Sequence, residues 1–273
     1  MLDHNNIAST YDRDGFVFPI RVFPEAQAES YRANLERAEQ IARGIPEGDT
    51  LFREYSNIGL SFVGEILESR AVTDPVAAIL GEDLIVMACS FFIKPASSTA
   101  FVSWHQDLHY WGLEGDDEVT AWVALSPATK ASGCMKFVPG SHRQVAEHRD
   151  TFAEDNLLTR GQEIAVEVDE ADAVAVELAP GEMSLHHGRL FHGSDPNTSD
   201  DRRIGLAIRY VPTRMKQMSG AKMCATLARG EDRFGNFELV PSGAGLLEPR
   251  DVTRHREIRD RRRAVLMRDT SSS

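Results

Sequence analysis

The sequence predicts a mainly β fold, a jelly roll with flanking α-helices, on three observations. From Leu84 onward about eight short apolar runs are separated by turn residues such as Pro180-Gly181, the rhythm of an all-β sandwich or barrel. The helical patterns gather ahead of them, before Leu84. No repeat of fixed period is visible, which argues against a solenoid or propeller. At 273 residues the chain is long for an average domain but normal for one barrel with additions. One domain is expected over 1–273: a helical flank over about 1–83, a jelly-roll core over about 84–212, and a cover segment and C-terminal helix over about 213–273.

In chain order, a short helical turn is expected over Ile7–Asp14, then extended chain from Gly15 to Ile20. Pro24 sits where a helix can begin, and Glu25–Ile41 supplies good helix formers with acidic residues early, as the helix dipole prefers. Residues 44–50 carry turn chemistry. Helical regions follow at Ser61–Leu67 and Asp74–Leu80, and Gly81 closes the second as a C-terminal cap. The expected strands are Leu84–Met87, Ser90–Lys94, Val102–His109, Thr120–Ser126, Glu163–Val168, Ala173–Leu178, Met183–His187 and Arg203–Val211. Met215–Pro241 lacks a clean strand pattern and mixes glycines with arginines and Phe234 and Phe237, so it reads as a cover over the mouth or as a surface excursion. The tail from Glu248 is rich in arginine but interleaved with Asp251, Glu257, Asp260 and Asp269. It reads as a solvated helix with internal ion pairs rather than a polyanion site.

Composition narrows the partners. With 42 acidic against 30 basic residues the formal charge is −12, which opposes nucleic acid and anionic membrane surfaces and points to small-molecule substrates. Cys89, Cys134 and Cys224 are scattered, with no Cys-x-x-Cys pair, so neither a structural zinc site nor a disulfide framework is indicated and a reduced cytoplasm is expected. The first residues lack a basic start followed by an apolar run, and no membrane-length apolar stretch occurs.

The chemistry concentrates in Trp104-His105-Gln106-Asp107-Leu108-His109-Tyr110-Trp111. On an extended chain side chains alternate faces, so His105 and Asp107 point the same way and can grip one ion. A further imidazole, His192, lies in Leu190-Phe191-His192-Gly193-Ser194, and Arg203 follows it by eleven positions. Two histidines and a carboxylate are the facial triad of non-haem Fe(II) oxygenases. In the strand after Arg203, Ile204, Leu206, Ile208 and Tyr210 share one face, leaving Arg203, Gly205, Ala207 and Arg209 on the other. An inward arginine beside small residues leaves room for an anionic ligand, and a guanidinium suits a carboxylate. Arg202 falls on the apolar parity and is expected to point outward.

These residues, in this order and spacing, resemble the phytanoyl-CoA dioxygenase family of Fe(II)/2-oxoglutarate oxygenases, to which ectoine hydroxylase belongs. The resemblance takes in Asp14-Gly15-Phe16, Phe92-Ile93-Lys94-Pro95, Ala121-Trp122-Val123-Ala124-Leu125, Gly133-Cys134-Met135 and Pro139-Gly140-Ser141-His142, and covers about residues 8–212. It implies a cupin-like double-stranded β-helix, with Fe(II) on His105, Asp107 and His192, and 2-oxoglutarate and O2 as cosubstrates. It further implies hydroxylation of an unactivated C–H bond with release of succinate and CO2. Ser194 donates to the cosubstrate carboxylate and Trp122 lines its pocket on the same analogy.

For the substrate, a small polar or anionic metabolite is expected, with Lys94, Arg143, Arg214 and Lys216 as anchors for an anionic group. Tyr110 and Trp111 are either core or the wall of a dry pocket. His109 shares the parity of the ligands, whereas His186 and His187 read as neighbours of the site or as structural. Pro139-Gly140-Ser141-His142-Arg143 either joins strands or brings His142 or Arg143 toward the substrate. The competing functions are an acyl-CoA hydroxylase, a zinc hydrolase on the same three ligands, a non-enzymatic barrel, and a halogenase, which Asp107 argues against.

Overall fold

The computed structural model describes residues 4–151, 155–158, 162–165, 168–218, 220 and 222–269. The helices are α1 (His4–Asp14), α2 (Glu25–Ala42), α3 (Thr50–Arg53), α4 (Ser56–Gly59), α5 (Ser61–Glu68), α6 (Arg70–Leu80) and α7 (Pro249–Asp269). The strands are β1 (Phe16–Arg21), β2 (Leu84–Lys94), β3 (Val102–His105), β4 (Val119–Ala124), β5 (Met135–Phe137), β6 (His148–Asp150) and β7 (Gln162–Ile164). They continue with β8 (Val174–Val176), β9 (Glu182–His186), β10 (His192–Ser194), β11 (Arg203–Pro212), β12 (Cys224–Arg229) and β13 (Glu238–Leu239).

The chain falls into two compact units, residues 1–32, 92–111 and 119–207, and residues 33–91, 112–118 and 208–273; β2 and β11 run through both. In the first unit one sheet runs β1-β9-β4-β11-β2 and a second runs β3-β10-β5-β8, the double-sheet arrangement of a jelly roll. Side chains from both sheets close on a shared core of Phe16, Trp122, Met135, Phe137, Leu178 and Ala207. In the second unit the order is β11-β2-β12-β13, backed by a smaller core of Tyr55, Ile58, Cys224 and Ile258.

The helices follow their patterning. In α2, Ala28, Tyr31, Leu35, Ala38 and Ala42 are buried, a three-and-four spacing that makes one apolar stripe. Leu84–Met87 and Ser90–Lys94 merge into the single strand β2 because Ala88 and Cys89 between them are buried and extended. The expected strand Val102–His109 stops at His105, and Asp107–Tyr110 forms a 3₁₀ turn instead.

Met215–Pro241, which shows no clean strand pattern in the sequence, nevertheless contains strands. Cys224–Arg229 forms β12, antiparallel to β2 with Thr226 opposite Val86, and Glu238–Leu239 lies parallel to it. Cys224, Ala225 and Thr226 are all buried, so the strand lacks the polar and apolar alternation that would reveal it. The three cysteines are free and buried, and no helix among the described residues is long and apolar enough to cross a membrane.

Helix α7 is less solvated than its composition suggests. Pro249 starts it, and Asp251, His255 and Arg259 are buried. Its cations also reach beyond the helix: Arg259 donates to Glu47 at 2.6 Å and Thr50 at 2.9 Å, and Arg261 to Glu238 at 2.5 Å. His255 donates from Nε2 to the Glu54 carbonyl at 2.6 Å, while its buried Nδ1 has no partner. Burial holds its pKa below the usual histidine value, with Arg259 and Arg256 adding to the effect, so the folded state favours the neutral ring.

A depressed folded pKa means stability present above the unfolded pKa of about 6.5 and lost as pH falls through the folded value. His255→Gln keeps a donor and removes the titration. Urea midpoints at pH 7 and pH 5 should therefore fall more steeply for the wild type than for H255Q; equal slopes would remove His255 from the acid response.

Candidate metal centre

Strands β3 and β10 pair antiparallel with His105 opposite His192, and β10 pairs on its other side with β5, His192 opposite Phe137. Gln106 is extended, so the two-residue step from His105 to Asp107 keeps both on one side although the strand has ended. The ligating atoms of His105, Asp107 and His192 all lie within 4.8 Å of one another, with His105 Nε2 3.3 Å from Asp107 Oδ1. Both histidines are buried.

The ring nitrogens are ordered for a metal. His105 Nδ1 faces the carbonyls of Ser103 at 2.9 Å and His192 at 3.1 Å, and His192 Nδ1 faces the carbonyl of Leu190 at 2.9 Å. A carbonyl only accepts, so each Nδ1 carries the proton and each Nε2 presents a lone pair. Two imidazole nitrogens and a carboxylate oxygen form the donor set that suits Fe(II).

His192 and Ser194 occupy alternate positions of β10 and share a face, which extends the site from the metal end toward two buried cations. Lys94 is wholly buried; its Nζ donates to Ser194 Oγ at 2.7 Å, the Ser194 carbonyl at 3.2 Å and the Asp195 carbonyl. Burial, reinforced by Arg203, brings its pKa down to about 7. Arg203 is 1 % exposed, donates from Nη1 to the Gly133 carbonyl at 2.7 Å, and leaves Nε without a partner. Burial pushes it down to about 10, and no carboxylate is among the groups acting on it. A cation remains there at neutral pH, with nitrogen left for an anion.

Two glycines permit close packing around that cation's partners. Gly133 has φ +70°, and a Cβ on it would stand 2.3 Å from the Asp195 carbonyl. At Gly205 a Cβ would lie 1.8 Å from the Trp122 ring, which crosses the glycine and stacks 5.3 Å from the Arg203 guanidinium. Trp122 is thus packed against Arg203 from within the core.

The expected substrate anchors are placed differently. Lys94 belongs with Ser194 and Arg203 and is no outer anchor. Arg143 is exposed and donates to the Asp12 carbonyl at 2.7 Å. In the second unit, exposed Arg214 donates to Asp117 at 2.7 Å and exposed Lys216 stands 3.9 Å from Glu114. Trp111 is half-buried after the 3₁₀ turn, and the side chains of His109 and Tyr110 lie outside the described residues. His186 stacks beside the site, 4.9 Å from the His192 ring and 5.0 Å from Phe137. His187 accepts the Arg189 N–H at 2.9 Å and packs near Tyr11 and His142.

Three residues matter that the sequence passed over. Ser141 accepts the N–H of Phe191, next to His192, at 2.9 Å, so the Pro139–Arg143 turn braces a ligand segment. Asn197 is buried and donates to the carbonyls of Lys94, Pro95 and Asp201 at 3.3, 2.9 and 2.8 Å. Its neighbours Thr198-Ser199-Asp200 read as simple turn chemistry. Gln106 occupies the middle of the ligand triplet and is fully buried.

A jelly roll with two histidines and an aspartate at one point, and buried cations beside one ligand strand, defines a non-haem iron oxygenase. Residues 11–205 match the phytanoyl-CoA dioxygenase (PhyH) family, and the chain belongs to it. A probable alpha-ketoglutarate-dependent hypophosphite dioxygenase of Stutzerimonas stutzeri is 29% identical over 220 residues, covering 78% of this chain and 72% of that one. The solved structure of the non-heme monooxygenase ThoJ in its apo form is 31% identical with a TM-score of 0.88, covering 98% of this chain and 100% of that one; its nickel complex is 29% identical with a TM-score of 0.82, covering 96% and 99%. EvdO2 of Micromonospora carbonacea var. aurantiaca complexed with 2-oxoglutarate is 26% identical with a TM-score of 0.58, covering 78% and 91%. The chain is a 2-oxoglutarate-dependent non-haem iron dioxygenase that uses Fe(II), 2-oxoglutarate and O2. The zinc hydrolase reading falls with that assignment.

Gly205→Ala should displace Trp122 from Arg203. Overpacking of this kind costs about 1–3 kcal/mol, so a lowered Tm together with a raised KM for 2-oxoglutarate is expected; an unchanged KM would separate Trp122 from cosubstrate binding.

Proposed function

We propose that this chain hydroxylates an unactivated C–H bond of a small polar or anionic metabolite, holding Fe(II) on His105, Asp107 and His192. The observation that carries the reading is the convergence of their ligating atoms within 4.8 Å, with both Nδ1 atoms turned to backbone carbonyls. Fe(II) and 2-oxoglutarate, when bound, supply the oxidising chemistry with O2 and release succinate and CO2. The chain's own residues bind and orient.

Arg203 receives the remote carboxylate of 2-oxoglutarate through its unpartnered nitrogen. Ser194 accepts from Lys94, which leaves its hydroxyl proton to donate to the same carboxylate. Lys94 adds a second positive charge, and a bound anion favours its protonated form. Trp122 keeps water from the guanidinium and so strengthens the pairing. For the prime substrate, the relative named as a hypophosphite dioxygenase supports a small anion. The outer cations Arg143, Arg214 and Lys216 are each engaged, by Asp12, Asp117 and Glu114, which lends no support to a site for coenzyme A phosphates.

Succinate release with Fe(II), measured over a panel of small anions, amino acids and acyl thioesters, tests the activity and separates the substrate classes. Alanine at His105, Asp107 or His192 should abolish turnover; a near-normal rate in any of the three would move the site elsewhere.

The cosubstrate residues have their own test. Arg203→Ala should raise the KM for 2-oxoglutarate roughly ten- to a hundredfold, the equivalent of about 1.5–3 kcal/mol for a charged hydrogen bond left unmade. Arg202→Ala should do much less. Because Lys94 loses its proton as pH rises through about 7, wild-type KM should climb across that range, and Lys94→Met should flatten the climb. A pH-independent wild-type KM would remove Lys94 from cosubstrate binding.

A further inference from the structure

We infer that Gln106 is a positioning residue that locks the His105 and Asp107 pair to the segment bearing His192. The inference rests on the metal-binding reading of those three residues. Extended backbone at Gln106, φ −122° and ψ 126°, turns its side chain to the face opposite both neighbours. It therefore points away from the metal, and its role lies in what it grips on the other side.

There the amide is 2 % exposed and fully engaged. Nε2 donates to the Gln144 carbonyl at 2.8 Å and to the Arg189 carbonyl, and Oε1 accepts the Ala146 N–H at 3.0 Å. Two carbonyls require the NH2 end, so the orientation of the amide is settled by its partners. The backbone adds to the grip: the Gln106 N–H donates to His148 Nε2 at 3.0 Å, and His148 Nδ1 faces the Ala146 carbonyl at 3.0 Å.

One side chain thus joins three separated segments: the ligand turn, the chain at 144–148, and Arg189, which precedes His192 by three residues. A parallel tie runs beside it, from the Leu108 N–H to the Gly188 carbonyl at 2.9 Å. On the metal side the closing link is His105 Nδ1 to the His192 carbonyl. Removing the amide takes away the side-chain acceptor of the buried Ala146 N–H and the donor that ties the Gln144 and Arg189 carbonyls together, so the three segments lose their common link. The pairing of β3 with β10 still spaces the two imidazoles, but the turn that carries Asp107 is then free to shift against the segment that leads into His192. Loss of a group that touches a metal ligand directly lowers metal affinity about ten- to a hundredfold; Gln106 acts one step further out, so that range is the upper limit of its effect.

The test is Co(II) binding to the full chain, followed by ligand-field absorption and dissociation constant. Gln106→Met keeps the length and removes every hydrogen bond of the side chain. Asn57→Ala serves as the stability control, since it breaks a buried amide network in the second unit, where Asn57 donates to Thr226 at 2.8 Å. Q106M should weaken Co(II) binding by up to about tenfold, the lower end of the range for direct partners of metal ligands, and alter the ligand-field spectrum, whereas N57A lowers Tm and leaves both at wild type. Wild-type affinity and spectrum in Q106M would overturn the inference. Failure of the wild-type chain itself to bind Co(II) would overturn the metal reading instead. Should Q106M not fold, Gln106→Glu carries the same expectation: it keeps the acceptor for Ala146 and sets carboxylate oxygen against the two carbonyls.

Discussion

Everything at the site depends on the pairing of β3 with β10. These short strands bring together histidines separated by 87 positions, and the same pairing points His105 Nδ1 at the His192 carbonyl. Backbone geometry therefore sets the distance between the two imidazoles and also their tautomer. A barrel built of longer-range pairings serves this purpose well, because the ligands ride on hydrogen-bonded backbone rather than on free loops. Asp107, on the 3₁₀ turn just past the strand end, is the ligand that needs separate support.

The opposite end of the site obeys a different constraint, the cost of burying charge. Lys94 and Arg203 lie close enough to lower Lys94's pKa, and neither draws that charge into an exposed position. A fold that needed only stability would place apolar groups there. The arrangement is understandable when an anion completes it, since a bound carboxylate would offset one of the two positive charges and favour retention of the other. Gly205 leaves room for the ring stacked on Arg203, and Gly133, whose carbonyl accepts from that guanidinium, lets two backbone segments meet.

Much of this was legible in the sequence. The triad was readable because a metal needs particular atoms in a particular order, and His105, Asp107, His192 and Arg203 carry few competing meanings together. Parity placed Arg203 inward correctly, since β11 is a long regular strand. The expected strand over Val102–His109 ends early at His105, where the chain turns. Parity gave no sign of β12, whose buried small residues erase the alternation on which strand recognition rests. Gln106, Ser141 and Asn197 were invisible for another reason: their partners are backbone carbonyls and N–H groups, which every residue has. The outer cations were over-read, because a charge in a sequence does not reveal the acid or carbonyl that answers it in space.

The buried cysteines have a consequence for endurance. Cys134 sits in the core near Arg203, where a neighbouring guanidinium would ordinarily favour a thiolate, yet burial prevails and pushes the thiol up to about 11. Cys89 is pushed up to about 12 and Cys224 upward by burial as well. A thiolate is the form that reacts with oxidants and seizes metals. A catalyst that repeatedly brings iron and oxygen together thus keeps its sulfur in the inert form, so stray turnover without substrate meets no ready nucleophile at these positions.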